Sequence, residues 1–312
     1  MKKITILVPA YNEEEVLEQF YARVSSIMNK IKEYKFELLF INDGSRDKTL
    51  DIIKSLKEKD KRVNFIDLSR NYGKEIAMSA GFDHVKGDAV VIMDADLQDP
   101  PELIPQMIEE WENDHDDVYA KRVSRKGETW LKKMTSYLFY RVLEKVSRVP
   151  IQKDTGDFRL LSKKALKSLI QLRESQRYTK GLFSLIGHKK KAIEYERDPR
   201  AAGETKWNYF KLFDLAIEGI TSFTVAPLRI ASILGILISI VSFIYMLKIV
   251  FTTIISGNEV PGYPSLMSVT LFIGGVQLLG LGVIGEYLGR VFSETKKRPL
   301  YFINEYSGEE NE

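Results

Sequence analysis

Two long stretches without a charged residue limit what this chain can fold into. Ile230–Leu247 reads IASILGILISIVSFIYML and, after Lys248, stays apolar to Ile255. Pro264–Gly285 reads PSLMSVTLFIGGVQLLGLGVIG. A helix needs roughly 20 apolar residues to cross a bilayer core. A buried helix of a soluble protein is usually shorter and keeps a polar stripe. The pattern therefore predicts two transmembrane helices, over about residues 228–255 and 265–287. Arg229 and Lys248 sit where long side chains can snorkel to the interface. The linker Ser256–Tyr263 has no Lys or Arg, whereas Arg229, Arg290, Lys296, Lys297 and Arg298 flank the pair. The positive-inside rule then places the linker outside and both termini in the cytoplasm, giving a multi-pass protein of the plasma (inner) membrane. Ile4–Ala10 is too short for a secretory signal and runs into Glu13–Glu15. Six glycines from Gly274 to Gly289 suit close helix approach, either within the hairpin or between copies in a homo-oligomer.

The polar part before these helices alternates. Short apolar runs (Ile4–Val8, Leu38–Ile41, Val63–Leu68, Ala89–Met93, Asp117–Ala120) are separated by helix-like segments (Glu13–Glu33, Lys48–Leu56, Lys74–His84, Glu102–Glu112). This order predicts an α/β domain with a mainly parallel sheet. Ligands of such sheets bind beyond the carboxyl ends of the strands. That rule points to Pro9-Ala10-Tyr11-Asn12, Asn42-Asp43-Gly44-Ser45 and Asp94-Ala95-Asp96. The chain has no cysteine, which excludes disulfides, thiolate metal sites and Cys nucleophiles. A net charge of +3 gives no argument for a nucleic-acid partner. No GxGxxG follows the first strand and no GxxxxGK[ST] occurs, which argues against a dinucleotide oxidoreductase and a P-loop NTPase.

The richest chemistry lies in Asp94-Ala95-Asp96-Leu97-Gln98-Asp99-Pro100-Pro101. Two carboxylates one residue apart repel unless a cation is near. Mg²⁺ favours a few carboxylates with waters and substrate phosphates. Asp94, Asp96 and Gln98 are thus candidate ligands of Mg²⁺ or Mn²⁺ on a diphosphate, and Asp99 is expected to cap the following helix. Asp43 fits two roles equally: an acceptor for a base imide or ribose hydroxyl, or a turn cap.

VPAYNEE (Val8–Glu14), NDGSRDKT (Asn42–Thr49) and DADLQDPPE (Asp94–Glu102) resemble family 2 glycosyltransferases of the GT-A fold. TGDFRLL (Thr155–Leu161), AGETKW (Ala202–Trp207), the paired helices and GEYLGR (Gly285–Arg290) narrow the likeness to polyprenyl-phosphate glycosyltransferases, the bactoprenol glucosyltransferase and dolichol-phosphate mannose synthase group. The processive QxxRW motif is absent. The resemblance implies that Pro9, Ala10, Tyr11, Glu13 and Asp43 hold the nucleoside, and that Asp94, Asp96 and Gln98 serve ribose, metal and diphosphate. It implies a basic phosphate contact at Arg122, and an acceptor-phosphate site at Lys132 and Ser136, which otherwise read as a solvated basic face. Arg200 and Lys206 match a loop that closes on the donor diphosphate, or else a plain juxtamembrane linker. Asp157 matches the acceptor-side carboxylate; with Asp96 it is the expected catalytic residue, orienting the acceptor and taking any residual proton.

These readings divide the chain into a GT-A, Rossmann-like nucleotide-sugar-binding domain (1–207), a connector (208–227) that is interfacial or domain-packing, a two-helix transmembrane region (228–289) and a basic, polar tail (290–312). The expected reaction is inverting transfer of a sugar from a nucleotide-sugar, UDP-glucose or UDP-N-acetylglucosamine, to polyprenyl phosphate. GDP-mannose as donor, another lipid acceptor, or a non-catalytic membrane scaffold are the alternatives.

Overall fold

A computed structural model describes residues 1–123, 155–175, 177–195, 226–256 and 262–308. The chain divides into two units. One holds the sheet and takes in the chain from Arg298 onward; the other holds the two long helices.

The first unit is built on β1 (Lys3–Ala10), α1 (Leu17–Lys30), β2 (Lys35–Asn42), α2 (Thr49–Lys59), β3 (Val63–Leu68), α3 (Lys74–His84), β4 (Ala89–Ile92), a 3₁₀ turn (Pro101–Leu103), α4 (Ile104–Glu112), β5 (Asp117–Arg122), β6 (Thr155–Ser162), α5 (Lys163–Ile170), α6 (Thr179–Leu185) and β7 (Lys190–Tyr195). The eight-stranded sheet has the order β7-β5-β6-β4-β1-β2-β3-β8, with β8 at Ile303–Tyr306. β1, β2, β3 and β4 pair in parallel, which brings their carboxyl ends to one edge. The other half is mixed: β6 runs antiparallel to both β4 and β5, and β7 parallel to β5. Four of the seven described strand pairings are parallel, so the expected mainly parallel sheet holds, with β3–β8, β4–β6 and β5–β6 as its antiparallel pairs.

Strands covered on both faces read as continuous apolar runs, and β1, β2 and β4 are nearly all buried for that reason. Ile4, Ile6 and Val8 share a core with Phe20, Val24 and Ile27 of α1, whose helical spacing puts them on one face. Phe20 meets Phe40 of β2 edge to face at 6.2 Å. α1 starts at Leu17, later than the expected Glu13. The backbone N–H groups of Glu13 and Glu14 are given to Thr49 Oγ1 and Asp47 Oδ2 of the next loop instead.

In the second unit, α7 (Ala226–Ser256) and α8 (Tyr263–Thr295) are both long and apolar enough to cross a membrane. α8 outruns the span expected to end at 287. At 1.5 Å per residue its 33 residues reach about 50 Å, well beyond a bilayer core of about 30 Å. An Arg290–Glu286 pair at 3.0 Å supports its later turns.

The segment expected to be a tail contributes β8. It pairs antiparallel with β3, and Ser307 exchanges hydrogen bonds with Phe65. Lys54 reaches Glu305 at 2.6 Å, and Tyr301 donates its hydroxyl to Asp83 at 2.7 Å.

Candidate active site

The loops after β1 and β2 are tied to each other by side chains. Asn12, at φ +55°, donates its N–H to Ser45 Oγ at 3.0 Å and accepts from the Arg46 N–H at 2.9 Å. The structure thus brings Pro9, Ala10, Tyr11 and Glu13 alongside the Asn42–Thr49 loop, with Tyr11 exposed and Ala10 buried.

Asp43 is buried behind them. Its two carboxylate oxygens accept the backbone N–H groups of Tyr72 at 2.7 Å and Gly73 at 2.9 Å. Burial raises its pKa, and those two bonds only partly offset the effect. Asp43 therefore organises the loop after β3, a cap-like role that the sequence left open. Gly44 beside it has φ +64°, and a Cβ there would fall 2.5 Å from the Arg70 carbonyl carbon. Gly73, at φ +92°, turns this loop into α3.

The acidic turn follows β4. The Asp94 side chain is 28% exposed, and Asp96 accepts the Gln98 N–H at 3.1 Å. Leu97 between them is buried at φ +60°, a conformation costing about 1–3 kcal/mol that persists only where its surroundings enforce it. Gln98 Oε1 is buried and has no hydrogen-bond partner. An orphaned oxygen on the same turn as two carboxylates fits a hard divalent cation. Among the described residues no group of three or more His, Asp or Glu gathers for a metal. An ion here would thus draw on Asp94, Asp96 and Gln98 and take its remaining oxygens from solvent or ligand. Asp99 is not the cap of the next 3₁₀ turn, which starts at Pro101 after Pro100 and has no side-chain cap; Asp99 accepts the Tyr195 hydroxyl at 2.8 Å.

β6 delivers Asp157. Its antiparallel register on β4 pairs Ile92 with Arg159, and two steps further come Asp94 and Asp157. Lys74, the first residue of α3, joins those two acids. Its Nζ lies 2.6 Å from Asp94 Oδ1 and 2.5 Å from Asp157 Oδ2. Burial would push the Asp157 carboxyl up. The Lys74 ammonium, with Lys180 and Arg159, outweighs that and holds it at about 2. Its other oxygen, Oδ1, is buried without a partner. Glu75, next on α3, accepts from the Thr179 hydroxyl and backbone N–H. Lys74 and Glu75 were not among the sequence candidates. The strand-end rule, applied to β3 as it was to β1, β2 and β4, leads directly to the loop that carries them.

Arg122, at the end of β5, stands beside the acids: its Nε donates to the Tyr195 hydroxyl at 3.3 Å, and Asp99 and Asp94 add to the fields that raise its pKa against burial. Arg159 does not face the site. It is fully buried, holds Asp117 at 3.1 Å and stacks 3.6 Å over the Phe183 ring. Lys132, Ser136, Arg200 and Lys206, and the connector 208–225, lie outside the described residues.

Residues 5–170 match the family described as Glycosyl transferase family 2, and residues 226–291 match the GtrB C-terminal hairpin. This chain is a member of glycosyl transferase family 2. Its sheet is of the GT-A kind. It is 46% identical to a prophage bactoprenol glucosyl transferase homolog of Escherichia coli K12, over 96% of this chain and 98% of that one. It is 45% identical to the bactoprenol glucosyl transferase of Shigella phage SfX, with the same coverage. An uncharacterized glycosyltransferase of Synechocystis matches at 46% over 98% of this chain and 96% of that one.

Proposed function

We propose that this glycosyltransferase moves a glucosyl residue from a nucleotide-sugar to polyprenyl phosphate at the cytoplasmic face of the plasma membrane. The observation that carries this reading is the span of the likeness to the bactoprenol glucosyl transferases. It covers the donor-binding sheet and also the apolar hairpin, the part of the chain suited to hold a catalytic domain beside a lipid.

The chemistry is a single in-line displacement. An acceptor phosphate oxygen bonds to the anomeric carbon as the bond from that carbon to the donor diphosphate breaks. The nucleoside diphosphate leaves with the bonding electrons, and the anomeric centre inverts. The acceptor needs little activation, because a phosphate monoester has a second pKa of about 6 and is already anionic at neutral pH. Asp157, held at about 2 by its cationic neighbours, is a weak base. Its part is to place the acceptor, which matters because in-line reactions depend steeply on geometry. Arg122 supplies fixed positive charge near the diphosphate. Asp94, Asp96 and Gln98 would hold Mg²⁺ or Mn²⁺, which would offset the negative charge of the diphosphate.

The test is the purified full chain in lipid nanodiscs with undecaprenyl phosphate, given UDP-glucose, UDP-N-acetylglucosamine and GDP-mannose in turn. The expected result is a lipid-linked hexose from UDP-glucose. Product from another donor would correct the sugar. No lipid-linked product from any donor would reject the acceptor class.

A further inference from the structure

Lys74 occupies an unfavourable place for a cation. It opens α3, where the positive end of the helix dipole disfavours an ammonium. What holds it there is two carboxylates. Both Asp94 oxygens lie within 2.8 Å of Nζ, and Asp157 Oδ2 lies at 2.5 Å. An ammonium has three N–H donors and can serve both acids at once. Its mounting is fixed on each side along the chain. Gly73, just before it, is held by Asp43, and Glu75, just after it, is held by Thr179.

The two acids differ in access. The Asp94 side chain is 28% exposed and that of Lys74 39%, whereas that of Asp157 is 9% exposed. A cation arriving from solvent can therefore reach the Asp94 end of the bridge and not the Asp157 end. Gln98 Oε1, buried and unpartnered, is on the same turn as Asp94.

We propose that Lys74 is a resident counter-cation of Asp94, displaced from it by a divalent ion only when that ion arrives with the donor diphosphate, and remaining on Asp157 as a positioning residue. This rests on the metal-assisted nucleotide-sugar reading above. A free divalent ion meets a carboxylate already paired with an ammonium, so its binding is weak. An ion that brings a diphosphate adds phosphate oxygens to its own shell and gives the displaced ammonium a new anionic neighbour. The device makes metal binding depend on donor. It also leaves the Lys74 ammonium between the diphosphate and the acceptor-side acid, where it fixes Asp157.

The decisive measurement is Mn²⁺ binding to the full-length protein without nucleotide, followed by the electron paramagnetic resonance signal of free Mn²⁺. Removing a cation in direct contact with a ligand carboxylate should tighten binding by about tenfold or more. Lys74→Met is expected to show that gain, and Lys74→Arg to bind as weakly as the wild type. In transfer assays Lys74→Met should lose about 100-fold in kcat. Lys74→Arg should recover part of the loss. Unchanged or weaker Mn²⁺ binding by Lys74→Met would overturn the counter-cation role, and an unimpaired kcat would overturn the positioning role. Should Lys74→Met fail to fold, as read by circular dichroism, Lys74→Gln takes its place with the same expectations. The Mn²⁺ measurement uses neither sugar nor lipid. A wild type that makes no lipid-linked hexose would reject the proposed function and leave the Lys74 comparison standing.

Discussion

Lys74 Nζ stands 2.5 Å from Asp157 Oδ2, tying the first turn of α3 to β6, the strand beside β4. The contact bears on which kind of work the carboxylate is fitted for. A carboxyl held at about 2 stays ionised and paired across the physiological range. Because its pKa is depressed, the stability it contributes is present above the ordinary carboxylate range near 4. That stability is lost only as pH falls toward 2. Asp157→Asn is therefore expected to cut single-turnover transfer about 100-fold, with the loss constant from pH 5.5 to 9. A general base would behave otherwise: its loss would shrink above pH 6, where the acceptor phosphate is a dianion. Recovery of near-wild-type rate at pH 9 would restore Asp157 as the base.

The acidic turn gives a second expectation. Asp96→Asn should reduce transfer by at least about 100-fold and weaken nucleotide binding in the presence of Mn²⁺ while leaving it unchanged in EDTA. Gln98→Ala removes one neutral ligand and should cost about tenfold. Calorimetric titration of the nucleoside diphosphate with and without Mn²⁺ checks both. Full transfer in EDTA with no added metal would rule out the metal assignment.

How much of this was legible beforehand follows from what each residue does. β1 to β4 were readable because buried parallel strands carry unbroken apolar runs, and the chemistry after β1, β2 and β4 followed from the strand-end rule. β6 was not read as a strand, because TGDFRLLS places Asp157 and Arg159 inside a fully buried element. Three-dimensional partners, Lys74 for Asp157 and Asp117 for Arg159, help make those charges tolerable there. β8 has four residues and no fully buried side chain, so it carries no apolar signal; its place comes from backbone pairing with β3. Lys74 was missed because a lysine opening a helix reads as solvated surface until the two acids beside it are known.

The Arg159–Asp117 pair shows what such a strand costs to disturb. Both side chains are fully buried and the contact is 3.1 Å. Removing one partner of a buried pair leaves the other charge uncompensated, at about 3–5 kcal/mol. Asp117→Asn should accordingly lower the thermal midpoint of the full-length protein substantially. Paired replacement of Arg159 by Met and Asp117 by Leu should recover much of that loss, since apolar groups need no partner. Differential scanning fluorimetry in detergent reads both. An unchanged midpoint in Asp117→Asn would mean that the pair does not hold β5 to β6.

The C-terminal strand bears on membrane topology. β8 lies in the same sheet as β3, so the chain after α8 returns to the unit that holds the sheet. Among the described residues two membrane-length helices separate that strand from the rest of the sheet, and a pair of crossings would return the chain to the side where it began. We therefore predict that the Lys- and Arg-free linker between them faces the opposite side, which the positive-inside rule makes the exterior. A cysteine introduced at Asn258 is expected to react with an impermeant maleimide added to intact cells. One at Glu309 is expected to react only after the cells are opened. The chain has no native cysteine, so the labelling needs no background substitution. Labelling at Glu309 but not Asn258 in intact cells would invert the orientation and put the acidic turn out of reach of cytoplasmic nucleotide-sugars. Labelling at neither site, with both reactive after permeabilisation, would mean that α7 and α8 lie along the membrane and do not cross it.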